Sequence, residues 1–432
     1  MINDKKEAQS FDNLGIAPRL LKIMSGIGFT VPTPIQAQSI PGLLQGKDLI
    51  GIAKTGTGKT AAFVLPILQR MNEKCPKNIS TLILVPTREL AVQIGESISA
   101  YGKFLDFKHT VILGGIQQQL QVEALKKGVN IIVATPGRLL DLLGQKKLTL
   151  KNIEYFVLDE ADKMLDMGFI DDINKIIESL PKKRQSLFFS ATMSSEVNKL
   201  AKTLLSDPIH IKIDNGATTV DSVNQQVYYV DKNSKQKLLH KLIRKARVKS
   251  ALIFTRTKSK ADHITMFLKR YDIPCDVIHG DRSQEKRTKA IEDFRAGKIK
   301  VLVATDIAAR GIDIDNISHV INYELPNQPE IYVHRIGRTA RAGAKGAAYT
   351  FCCAEEKSYL IKIEKLIKQE IQVINHKYHS EYAKTAEGKA AEPPKKGEKD
   401  IKGNKKGKYR PVHKGNRKSF AQRAELEKKR EK

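Results

Sequence analysis

A small-residue turn that ends in Gly-Lys-Thr binds phosphate, and this chain contains one. Leu49-Ile50-Gly51-Ile52 is apolar and short enough for a strand. Ala53-Lys54-Thr55-Gly56-Thr57-Gly58-Lys59-Thr60 follows it and opens the helical pattern of residues 61–71. Ala53 stands where the usual pattern has its first glycine, while Gly58-Lys59-Thr60 keeps the decisive end. Small residues let successive backbone N–H groups converge on phosphate oxygens, and the helix N-terminus adds positive potential. Lys59 is expected to reach the β- and γ-phosphates, and the Thr60 hydroxyl to coordinate Mg²⁺. Such a loop needs an acidic partner at the end of a neighbouring strand. Phe156-Val157-Leu158-Asp159-Glu160-Ala161-Asp162 supplies it. Three apolar residues put Asp159 at a strand's C-terminal edge, where open α/β sheets bind ligands. Asp159 is the expected metal ligand, acting through water. Glu160 is expected to orient or deprotonate an attacking water. Asp162 has no direct metal role.

These groups need a scaffold. Apolar runs at 49–53, 81–85, 110–113, 130–134, 156–158 and 186–189 each read as a strand, and amphipathic stretches lie between them, as at 88–101. A second series follows at 225–230, 251–254, 275–279, 301–304, 319–321 and 347–351, with helical patterns at 238–246, 259–271 and 284–296. Continuous apolar strands alternating with helices predict parallel sheets covered on both faces. The expected fold class is therefore α/β, with two domains in tandem. The boundaries are read as 1–207 for the first, 208–223 for a linker containing Pro208, 224–375 for the second and 376–432 for a tail.

Charge narrows the partner. The chain has 75 Lys/Arg against 47 Asp/Glu, a net of +28, which calls for a polyanion. No apolar run approaches the roughly 18 residues that a spanning helix needs, and the polar residues 1–12 lack the apolar core of a signal peptide. A membrane partner is not expected. The four cysteines, Cys75, Cys275, Cys352 and Cys353, form no Cys-x-x-Cys pair and read as small buried hydrophobes in a reducing cytoplasm. From about Lys384 bulky apolar residues almost vanish. Residues 384–432 hold 18 Lys/Arg against 7 Asp/Glu, a composition expected to stay disordered and to tether a polyanion non-specifically.

Asp159-Glu160-Ala161-Asp162 is the signature of the DEAD-box RNA helicases, and the chain resembles that family over roughly residues 11–345. Gly28-Phe29 and Pro32-Thr33-Pro34-Ile35-Gln36, with Phe11 upstream, resemble the Q motif. The resemblance implies that Gln36 reads the adenine edge and that Phe11 packs this region, so that ATP is the nucleotide. Pro86-Thr87-Arg88-Glu89-Leu90-Ala91, Gly114-Gly115 and Thr135-Pro136-Gly137-Arg138 resemble RNA-contacting loops, which assigns Arg88, Gly115, Thr135 and Arg138 to RNA. Ser190-Ala191-Thr192 resembles the motif linking hydrolysis to unwinding, with Ser190, Thr192 and Asp162 as coupling residues. In the second half, Leu252-Ile253-Phe254-Thr255-Arg256-Thr257, the pair Gln284 and Arg287, and the stretch from Ala304 to Asp313 match later motifs. They imply RNA contacts at Thr255, Gln284, Arg287 and Thr305, and a ribose contact at Asp313. His334-Arg335-Ile336-Gly337-Arg338-Thr339-Ala340-Arg341 resembles the motif carrying two arginine fingers, Arg338 and Arg341, with His334 tying hydrolysis to the other motifs. Ala340 departs from the more usual glycine, which bears on the placement of Arg341.

The resemblance implies two tandem RecA-like domains that share one active site and an ATPase stimulated by RNA. RNA recognition would be largely sequence-independent, on single strands or short duplexes. The local unwinding of short duplexes is the leading expectation. An ATP-gated clamp or annealer with little strand separation, or a DNA translocase on the same core, are the alternatives. The compact core and Lys-rich tail look like the bacterial RhlE-type branch, which implies ribosomal precursors or RNA-turnover proteins as partners, and a monomer.

Overall fold

The computed structural model describes residues 10–54, 56–74, 76–213, 223–245, 248–309, 317–339 and 346–381. Its core is two seven-stranded sheets, one after the other in the chain. The first comprises β1 (Leu49–Ile52), β2 (Thr81–Leu84), β3 (His109–Ile112), β4 (Ile131–Ala134), β5 (Tyr155–Leu158), β6 (Gln185–Ser190) and β7 (Ile209–Lys212). Their order across the sheet is β3-β4-β2-β5-β6-β1-β7. The second comprises β8 (Val223–Tyr229), β9 (Ala251–Thr255), β10 (Cys275–Ile278), β11 (Val301–Thr305), β12 (His319–Asn322), β13 (Gly346–Cys352) and β14 (Gln372–Val373). Its order, β10-β11-β9-β12-β13-β8-β14, repeats the first position for position. Every pairing is parallel.

The apolar runs make strands because both faces of each sheet are covered. Successive side chains alternate sides. In the first sheet Leu49, Ile83, Val133 and Val157 enter one apolar cluster, while their neighbours Ile50, Leu82, Ile132 and Phe156 enter another on the opposite face. In the second sheet Ile253 and Val303 face one cluster, and Leu252 and Leu302 a second. Each such side chain, fully withdrawn from water, contributes about 1.5–3 kcal/mol of transfer free energy. The three described cysteines belong to this interior; burial pushes the thiol of Cys275 up to about 11 and that of Cys353 up to about 12.

Two expected boundaries move. The stretch read as a linker from residue 208 begins with β7, which pairs with β1 at the edge of the first sheet; residues 214–222 lie outside the described residues. The tail expected from residue 376 begins later. Residues 376–381 dock on the second sheet: His379 bridges Val230, Ser380 N donates to Tyr229 O at 3.0 Å, and Ser380 Oγ donates to Asp231 at 2.6 Å. The rest, 382–432, lies outside the described residues. No described helix is long and apolar enough to cross a membrane.

Candidate active site

The phosphate loop leaves the C-terminal end of β1, and helix Lys59–Lys74 starts at its lysine. Gly56 and Gly58 take φ of +84° and +92°, which side chains with a Cβ avoid. A Cβ at Gly58 would also fall 2.5 Å from Gln36 Nε2. Gln36, 1% exposed, ties the Q-like segment to this loop. Its Nε2 donates to Gly58 O at 3.1 Å, and its Oε1 accepts from Thr33 N at 2.9 Å. One amide hydrogen and one oxygen lone pair remain, the pair an adenine edge requires. Phe11 is buried with Leu14 and Ile16 and packs the same region. Thr57 Oγ1 closes the loop onto Lys54 O at 2.8 Å. Thr60 is half-buried at the helix start, and Thr55 lies outside the described residues.

Lys59 Nζ donates to Ala53 O at 2.9 Å and stands 3.9 Å from Asp159 Oδ1, at the end of β5. Burial pushes the Asp159 carboxyl up to about 6 against the pull of Lys59. A carboxylate sealed this way and paired this loosely suits a cation. With the Thr60 hydroxyl it offers the hard oxygen donors that Mg²⁺ takes, few in number because substrate phosphates complete its shell. No larger cluster of potential ligands exists among the described residues.

Glu160 follows in the left-handed region, φ 55° and ψ 47°, and caps helix Ala161–Asp166. Burial alone would raise its carboxyl. The charges of Lys163, Lys59 and Arg338 reverse that and hold it down at about 2. Arg338 belongs to the second half of the chain and is 6% exposed. The first half's candidate base is thus set partly by the second half's arginine. Arg341 and Asp313 lie outside the described residues. His334 lines a small cleft with Arg335, Arg338 and Asp306.

Asp162 accepts three hydrogen bonds on Oδ2, from Ala191 N at 3.2 Å, Thr192 N at 2.9 Å and Thr192 Oγ1 at 3.0 Å. These bonds tie the acidic turn to the Ser-Ala-Thr turn. Ser190 is fully buried, and its Oγ has no hydrogen-bond partner among the described residues.

The loops assigned to RNA gather at a cleft of about 290 Å³. Arg88, Thr135 and Arg138 line it from the first half, and Gly280 and Arg287 from the second. Gly115, at φ +84°, lies under the Arg88 guanidinium; a Cβ there would overlap it. Arg138 is steered by Asp141 at 3.5 Å. Thr255 and Thr305 close the central strands β9 and β11 as register partners, with exposures of 0% and 7%; Thr255 Oγ1 donates to Thr257 O. Beyond β9 the chain continues into the exposed Arg256 and Thr257. Gln284 and Arg287 are buried on Glu89 of the first half, at 3.2 Å and 2.6 Å. They join the halves.

Glu89 was not singled out in the sequence, nor were Lys163 and Arg335. Arg335, 2% exposed, clasps Asp306 at 2.6 and 2.8 Å and stacks over Phe254. Only the i+3 spacing of Lys163 from Glu160 was visible as a signal.

Fold and site together define a nucleotide hydrolase of two RecA-like halves, with the phosphate loop in one and the buried Arg338 of the other adding its charge to the field at Glu160. Comparison with known proteins agrees. The model of the DEAD/DEAH box helicase family matches residues 33–200, and that of the helicase conserved C-terminal domain matches residues 234–343. The DEAD-box ATP-dependent RNA helicase CshA of Bacillus subtilis is 43% identical over 362 residues, 84% of this chain and 73% of the relative. RhpA of Helicobacter pylori, also a DEAD-box ATP-dependent RNA helicase, is 42% identical over 371 residues, 86% of this chain and 75% of the relative. The structure of Saccharomyces cerevisiae Dbp5 bound to RNA and ADP BeF3 superposes with a TM-score of 0.75 at 36% identity, covering 85% of this chain and 96% of that one. The chain belongs to the DEAD-box ATP-dependent RNA helicases and is an RNA-dependent ATP hydrolase.

Proposed function

We propose that ATP is hydrolysed when the two halves close around ATP and RNA together, and that closure locally unwinds or remodels short RNA duplexes. The observation that carries this reading is the buried bridge between the halves, from Glu89 of the first to Gln284 at 3.2 Å and Arg287 at 2.6 Å of the second. Phosphoryl transfer depends on positioning and on stabilising spread charge, so a site divided between halves works only when assembled. Thr60 and Asp159 would hold Mg²⁺, which when bound neutralises phosphate charge. Lys59 binds the phosphates, Glu160 accepts the proton of the attacking water, and Arg338 and Arg341 stabilise the charge developing on the transferred group. Asp313 takes the ribose, and His334 links hydrolysis to the neighbouring motifs.

RNA enters through Arg88 and Arg138. Contacts to phosphates fix position without reading bases, so sequence preference is low. The Glu89 bridge to Gln284 and Arg287 borders the same cleft, so RNA bound there favours closure. By reciprocity ATP then tightens RNA. The basic segment 384–432 adds non-specific, salt-dependent attraction. The same reading makes the chain a cytoplasmic monomer of the RhlE-type branch, acting in ribosome maturation or RNA turnover. The test is strand displacement on a short RNA duplex, with ATP and without. ATP-dependent displacement is expected. RNA held tightly in ATP but never separated would replace this reading with a clamp.

A further inference from the structure

Lys163 lies one helical turn beyond Glu160, and its Nζ donates to Glu160 Oε1 at 2.6 Å. Both residues are sealed from solvent, at 5% and 2% exposure. Two other cations already serve this pocket, Lys59 and Arg338. A third buried cation therefore needs a reason. Stability is a poor one: a buried ion pair often does no better than apolar residues of the same volume, because desolvation offsets the attraction. Geometry supplies a better one. Glu160 sits in the left-handed region as N-cap of helix Ala161–Asp166, and its carboxylate meets Lys163 of the first turn. A glutamate there has three side-chain torsions with which to wander. Lys163 stands where it stops that motion. Its own backbone is anchored, since Lys163 N donates to Asp162 Oδ1 at 3.0 Å while Asp162 Oδ2 holds the Thr192 turn.

We infer that Lys163 is a positioning residue for hydrolysis: it fixes one oxygen of the Glu160 carboxylate so that the other is presented to the attacking water. Water loses its proton to Glu160 as the new oxygen–phosphorus bond forms and the bond to the leaving phosphate breaks. Lys163 keeps its own protons throughout. The inference rests on Glu160 being the base, so the experiment separates the two.

Steady-state RNA-stimulated ATPase of the full chain is measured for Lys163→Met, Lys163→Arg, Glu160→Gln and the double variant Glu160→Gln/Lys163→Met. Misplacement of a reacting group by about 1 Å costs on the order of 10²-fold, so Lys163→Met should lower kcat by about 10- to 100-fold. The KM for ATP and the RNA concentration at half-maximal rate should stay within about twofold, because Lys163 contacts neither ligand in this account. Lys163→Arg should regain most of the rate. In the Glu160→Gln background, Lys163→Met should remove nothing further. If the methionine variant does not fold, Lys163→Gln takes its place with the same expectation. A kcat within twofold of the parent, or an additive loss in the double variant, overturns the inference and leaves Glu160 as the base. A parent-like rate in Glu160→Gln removes both.

Discussion

The two halves share a strand order, and each places a lysine at the start of the helix after its first strand. Lys59 follows β1 and Lys235 follows β8. Both are nearly sealed, at 6% and 3% exposure. Lys59 meets a backbone oxygen and stands 3.9 Å from Asp159. Lys235 is in full ion-pair contact, 2.5 Å from Glu356 Oε2 and 2.9 Å from Tyr323 O. Glu356 is itself held by Leu325 N and Cys353 N. The connecting loops differ as well. The first carries Gly56 and Gly58 with positive φ; the second is a short 3-10 turn, Lys232–Ser234, with no glycine from Val230 to Lys235. The fold sets where the lysine stands. Phosphate binding needs more: a loop whose N–H groups converge, and a lysine whose charge is not already neutralised.

The largest effect should come from the arginine that completes the first site. Arg338→Ala should cut RNA-stimulated ATP turnover by about 10³–10⁵-fold, read from steady-state rates, with little change in stability. Activity near the parent level would mean that each half works alone. Next is a contrast between the lysines. Lys235→Met leaves Glu356 buried without its partner and should cost about 3–5 kcal/mol in denaturant unfolding, with the KM for ATP unchanged. Lys59→Met should do the reverse. The double variant Lys235→Met/Glu356→Leu should regain most of the lost stability. Failure to regain it would show that Lys235 does more than neutralise Glu356.

A pH series sharpens the same contrast. Burial alone would raise the Glu356 carboxyl, but Lys235 and the bonds to Cys353 hold it below the ordinary carboxylate range. A folded value below the unfolded one means stability that is present above the unfolded value, roughly pH 4.3, and lost as pH falls through the folded value. The stability gap between Lys235→Met and the parent should therefore shrink as the solution is acidified below about pH 4. A gap that widens there would reverse the assignment. The smallest effect belongs to the RNA cleft. Gly115→Ala strains the backbone and displaces Arg88, so the RNA concentration at half-maximal ATPase should rise about fivefold, on the order of 1 kcal/mol, with the KM for ATP unchanged.

The central strands were readable because both of their faces are buried, so apolar residues run without interruption. The two strands that were missed, β7 and β14, lie at sheet edges. In β7 Ile209 and Ile211 alternate with exposed His210 and Lys212, and both residues of β14 are exposed. Such short segments are indistinguishable from loop in one dimension. The same division runs through the site. Lys59, Asp159 and Glu160 were legible because phosphate and metal chemistry confines them to a strand end and a tight turn. For Thr255 and Thr305 a motif gives the order along the chain and not the depth in a sheet, and the fold sets them nearly buried at the ends of β9 and β11.

Residue types and their local spacing therefore determined the phosphate loop, its acidic partners and the two parallel sheets, since those properties depend on near neighbours and on uniform burial. Tertiary structure alone decided that Glu89 grips Gln284 and Arg287, that Arg338 adds its charge to the field at Glu160 and that Glu356 silences Lys235. These pairs lie far apart in the chain, and a charge's partner is set by distance and burial in three dimensions.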